Sequence, residues 1–160
     1  MDKYDPNEWT PSFVRENKNF CLTFLQDTNV RVIDCLKQGK HDAAVVGIDR
    51  MLNGAIVLHN SGAANMKPFL ATNSFNQGII FVCGMKDRPE QKRRQAAVTA
   101  FSDARDFSAS ELGNIAGDVI RMLQSGRALN RIADEVCPSF PQDLVDLMQG
   151  ANRRLEQQKD

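Results

Sequence analysis

The 160-residue chain has no excess of charge: 20 lysines and arginines stand against 20 aspartates and glutamates. No overall positive field is available to hold nucleic acid or an anionic membrane, so nucleic acid is an unlikely partner unless a local patch supplies the charge. Histidines number only two, His41 and His59, and the four cysteines Cys21, Cys35, Cys83 and Cys137 are far apart, with no Cys-x-x-Cys pair. That spacing excludes the usual zinc-binding patterns and a densely stapled disulfide scaffold. It leads us to expect buried, reduced thiols and a cytoplasmic protein. A phosphate-binding loop is also missing, because Gly39-Lys40 has no glycine five residues upstream and is followed by His41. Acidic residues such as Asp103, Asp106, Glu111, Asp118, Asp134 and Glu135 are scattered without the Glu-x-x-His pattern of bundle metal sites. A cysteine–histidine nucleophile pair would need partners from separate helices, and nothing local favours one. Apolar runs are too short to span a bilayer. The first eleven residues, with Asp2, Asp5 and Glu8, lack the apolar core of a secretory signal. No catalytic residue, metal ligand, cofactor or membrane partner is therefore expected, and a binding protein is favoured over an enzyme.

What is present suits a globular domain, with 42% hydrophobic and 25% charged residues. Residues 1–11, holding Pro6 and Pro11, read as an irregular lead-in from which Trp9 can tuck back. With Ser12 as cap, the spacing of Phe13, Phe20, Cys21, Phe24, Leu25, Thr28, Val32, Cys35 and Leu36 predicts one long helix or two abutting ones. Cys21 and Cys35 would face the same side of a continuous helix. Gln38-Gly39-Lys40 stops this element and Asp42 opens the next, which carries Ala44, Val45, Ile48, Met51, Leu52, Ala55, Ile56 and Leu58. Residues 59–74 read as a mobile loop or a broken short helix, followed by an apolar segment over 75–85. Pro89 then begins a helix running to Phe107. Ser108-Ala109-Ser110-Glu111 has the form of a capping box. The helix behind it buries Leu112, Ile115, Ala116, Val119, Ile120 and Leu123 and ends at Gly126. A short helix from Leu129 stops at Pro138, and Pro141 opens the last, which packs Leu144 through Leu155 inward before a frayed tail over 156–160.

The expected fold is thus all-α, six or seven helices over residues 12–155. A rival assignment takes 43–48, 55–58 and 79–83 as strands with a hairpin turn at Asn53-Gly54, giving a small α/β ligand-binding or regulatory domain, or an enzyme. Met51, Leu52 and neighbouring alanines, with no strict alternation, favour helix.

Two stretches share a pattern. Gly78 and Phe81, followed by Ala97, Phe101 and Ala104, fall in the order of a glycine and aromatic on one helix and a small-large-small set on the next. Gly39, His41, Ala44, Ile48 and Met51 repeat part of it, with Val32 where the glycine would stand. Over residues 28–107 the chain resembles tetratricopeptide-type helical repeats, although the connection in the second copy is several residues too long. The resemblance implies antiparallel helical hairpins closed by C-terminal capping helices, and a protein-binding adaptor or assembly subunit with a peptide or partner helix between hairpins. The strongest local binding candidate is the basic set Lys86, Arg88, Lys92, Arg93 and Arg94 at a helix start, where cations oppose the helix dipole and invite an acidic peptide. The segment 59–74 would complete the contact.

Overall fold

In the computed structural model, which describes residues 1–160, the first helix is capped by Thr10 and not by Ser12. Its Oγ1 accepts the Phe13 amide at 3.1 Å, and Pro11 occupies the first helical position, where a missing N–H costs nothing. Helix α1 (Pro11–Glu16) ends at Asn17, whose side chain donates to the Phe13 carbonyl, and α2 (Lys18–Lys37) abuts it. In the lead-in, Pro6–Glu8 forms one 3-10 turn, and Trp9 does tuck back, 4% exposed, with Nε1 donating to the Lys3 carbonyl at 2.9 Å. Cys21 is fully buried on α2, and that burial pushes its thiol up to about 12, so it stays protonated.

Helices α3 (His41–Asn60), α4 (Lys67–Cys83), α5 (Glu90–Phe107), α6 (Glu111–Gln124), α7 (Leu129–Val136) and α8 (Gln142–Gln157) follow. The chain contains no strand, which overturns the α/β alternative: residues 43–58 lie inside α3 and 79–83 close α4. Gly54, which suggested a hairpin turn, serves a different need. A Cβ there would stand 2.8 Å from the Trp9 ring, so the glycine lets the lead-in lie flat on α3.

The largest correction concerns residues 59–74. Only 61–66 lie between helices, while residues 69–74 are buried in α4. Thr72, Asn73 and Ser74 read as loop residues because they are polar, yet α4 is the central helix, packed against α3, α5, α6, α7 and α8. Asn73 donates its amide to the Phe69 carbonyl one turn back, at 3.1 Å, while its Oδ1 is buried without a partner. Most of the segment expected as a loop is therefore helix.

Three pairs of consecutive helices pack closely, α2 with α3, α4 with α5 and α5 with α6. The first two pairs meet over a glycine. Gly78 of α4 lies beneath Phe101 of α5, where an added Cβ would be 2.8 Å from the ring; Gly47 of α3 lies beneath Val32 of α2. The three later helices complete the body around α4.

Three local expectations fail for identifiable reasons. Ser108 does not form a capping box with Glu111; its Oγ instead accepts the amides of Ser110 at 3.1 Å and Gly113 at 3.2 Å, from a turn further back. The tail beyond Glu156 is not frayed, because the Asp160 amide donates to Asn19 Oδ1 and its carboxylate pairs with Lys18. And Cys83, the last residue of α4, is joined by a disulfide to Cys137 behind α7, their Cα atoms 6.2 Å apart. The reduced state expected of all four cysteines holds for Cys21 and Cys35 only.

Candidate functional site

The five basic residues do not converge on a common ligand position. Arg93 donates from Nε to the Phe81 carbonyl at 3.0 Å and from Nη2 to the Val82 carbonyl at 2.8 Å. Arg94 reaches the Leu123 carbonyl at 2.7 Å, the Arg127 carbonyl at 2.8 Å and Glu90 at 3.0 Å. Both guanidinium groups therefore sit on the carbonyl ends of neighbouring helices, α4 and α6, where positive charge is favourable. The dipole argument that pointed to an anionic partner is met inside the protein. Arg88 pairs with Asp42 at 3.0 Å across the surface, and Lys86 and Lys92 are exposed.

Glu90 ties this region together. Its carboxylate accepts the Leu129 amide at 3.1 Å and the Arg94 guanidinium, and these bonds hold it below the ordinary glutamate value. A depressed carboxyl contributes stability that is present above the unfolded value and is lost as pH falls through the folded one. Glu90→Gln should accordingly be less stable than wild type near neutral pH. The gap should close as pH drops below about 4.5, which urea titrations at several pH values would measure; a constant gap would contradict the assignment.

The histidines are spent structurally. His41 stacks on Phe140 with ring centroids 5.6 Å apart, and His59 Nδ1 accepts the Met66 amide at 3.3 Å. His59 thus caps the turn through an amide, not through free helix carbonyls. No group of three His, Cys, Asp or Glu side chains comes together that could hold a metal ion. No helix is long and apolar enough to cross a membrane.

A groove lies elsewhere, over α4. Helices α6 and α8 each pack on α4 without packing substantially on one another, so part of α4 forms a floor between two walls. The floor residues Pro68, Ala71, Thr72, Phe75 and Ile79 recur at three- and four-residue steps and make one stripe along the helix. At 1.5 Å per residue the stripe is about 16 Å long. One wall is Leu112 and Ile115 of α6; the other is Leu144, Leu147 and Arg154 of α8.

The groove has two compartments that meet at Leu147. A cleft of about 510 Å³ opens at the start of α4, bounded by Asn65, Lys67, Phe107, Ser110 and Arg154. A narrower pocket of about 220 Å³ lies at the other end, where Val136, Cys137 and Phe140 close it and Asp143 is the single polar residue. Phe107, Leu112, Val136, Phe140 and Leu147 are half-buried, and Ile115 is 42% exposed, an apolar surface rimmed by polar residues. Sequence reading reached only part of this site: Asn65, Lys67, Pro68, Ala71 and Thr72 fall in the segment 59–74 expected to contact a partner, while the other residues run on to 154 and no single helix signals them. Ile115, expected in the buried stripe of its helix, is instead 42% exposed on the α6 wall. No protein-family model matches the chain, and neither a curated protein nor a solved structure matches it.

Proposed function

We propose that the protein is an interaction adaptor whose groove over α4 receives an amphipathic helix from a partner protein. The observation that carries this reading is the apolar groove between α6 and α8, where Ile115 is exposed and Phe107, Leu112 and Leu147 are half-buried above a largely covered α4 floor. Such a groove is the shape that helix-in-groove recognition uses, with partner anchors at three- and four-residue steps. A floor of about 16 Å matches three turns of a partner helix. The helix pairs α2/α3 and α4/α5 support the tetratricopeptide-type reading, since each keeps a small residue under a large one, with the order reversed in the first pair. The binding surface then lies among the C-terminal helices and not between the pairs, where α3 packs directly on α4.

Leu147 is the residue to change, because it borders both compartments and is only half-buried. A labelled amphipathic helix of about fourteen residues, long enough to cover the floor, should bind wild type and lose at least about tenfold in affinity for Leu147→Glu, which places a charge in the apolar contact. Fluorescence anisotropy gives the answer. Equal binding by both proteins, with the variant's melting curve unchanged, would remove the groove as the site.

A further inference from the structure

Resting on the groove reading, we infer that the partner helix carries acidic side chains at one end and a large apolar anchor about eleven residues away, the separation of Pro68 and Ile79 along the floor. The two ends of the groove differ in charge. Lys67 and Arg154 border the wide cleft, both are exposed, and neither takes part in an ion pair. No aspartate or glutamate borders that cleft, in a chain with equal numbers of acids and bases. Two free cations with no counter-charge create a local positive potential that favours a carboxylate-bearing segment.

A second observation points the same way. Thr72 lies on the floor of the wide cleft and is only 5% exposed, yet its hydroxyl makes no hydrogen bond within the chain. That hydroxyl still reaches the surface of the cleft, so it is available to a ligand oxygen. Helix α4 also begins here, and although Asn65 Oδ1 accepts the Lys67 amide at 3.3 Å, its partial positive charge adds to the same end.

The opposite end refuses acid and accepts a hydrocarbon. Its pocket is lined by Phe75, Ile79, Ile115, Phe140 and Leu144, and its only charge is Asp143, which would repel a carboxylate. A single leucine or phenylalanine side chain fits a space of about 220 Å³. Charge polarity and pocket shape together fix which end of the partner goes where.

The test uses two peptides of identical composition. One has three glutamates at one end and a phenylalanine about eleven residues away; the other has the glutamates moved beside the phenylalanine. The first should bind at least about tenfold more tightly at low salt, with the advantage shrinking at high salt. Lys67→Glu with Arg154→Glu, both exposed positions that leave the core untouched, should abolish or reverse the preference. Equal affinities for the two peptides, or a preference that survives the charge reversal, would overturn the inference while a loss of binding in Leu147→Glu still upholds the groove. Failure of both peptides to bind wild type would overturn the groove and this inference together. So would sedimentation showing that a second copy of the chain fills the groove.

Discussion

Replacing Cys83 and Cys137 together by alanine should lower the unfolding free energy by about 4 kcal/mol, the loop-closure value for a link between residues 54 apart. The link crosses from the end of the central helix to the segment behind α7, a helix of eight residues too short to stand by itself. Few polar ties replace it. Residues between Cys137 and Asp143 bond their backbones only to neighbours within four residues, and Phe140 meets His41 by stacking. Urea unfolding of the double variant, and of wild type with and without a dithiol reductant, measures the effect. Reduced wild type should match the double variant, and coincident curves for oxidised and reduced protein would show that the link contributes nothing. Because Val136, Cys137 and Phe140 wall the apolar end of the groove, the same change should weaken capture of an apolar anchor.

The second large effect is expected at the contact between α4 and α5. Phe101 is fully buried, lies over Gly78 and meets Phe75 edge-on with centroids 5.4 Å apart. Phe101→Ala should cost about 3–5 kcal/mol, combining lost transfer energy with the cavity left behind. Gly78→Ala should cost about 1–3 kcal/mol by the opposite route, since the added methyl would stand 2.8 Å from the ring. The pair is then predicted to be non-additive. In the double variant the new methyl has no ring to strike, so the sum of the single effects should exceed the measured loss. Strict additivity in denaturant titrations would mean that the two residues do not oppose each other.

Much of the helical order was legible because stop signals are local. Gln38-Gly39-Lys40 ends α2, Gly126 follows α6 in the left-handed region at φ 83°, and Pro138 follows α7, as each residue's chemistry requires. The centre was not legible for an equally physical reason. Thr72, Asn73, Ser74 and Asn76 are polar, and such a cluster ordinarily faces water; here the Asn73 amide finds its partner one turn back within the helix itself, and packing from five other helices overrides composition. Arg93 and Arg94 were visible as charges but not as caps, since the carbonyls they bond belong to residues 81 and 82 on one side and 123 and 127 on the other. The disulfide hid likewise, in a spacing of 54 residues that no local motif marks. The groove is the extreme case, because its three helices contribute one wall or floor each.

Nuclear magnetic resonance of methyl-labelled protein titrated with the acid-ended amphipathic peptide tests the groove most directly. Shifts should concentrate on Ile79, Leu112, Ile115, Leu144 and Leu147, which border the floor and walls. Val30 and Val46, exposed on α2 and α3 outside the groove, should stay where they are. Shifts at Val30 and Val46 without change at Leu147, or no shifts at saturating peptide, would contradict an adaptor that binds partner helices over α4.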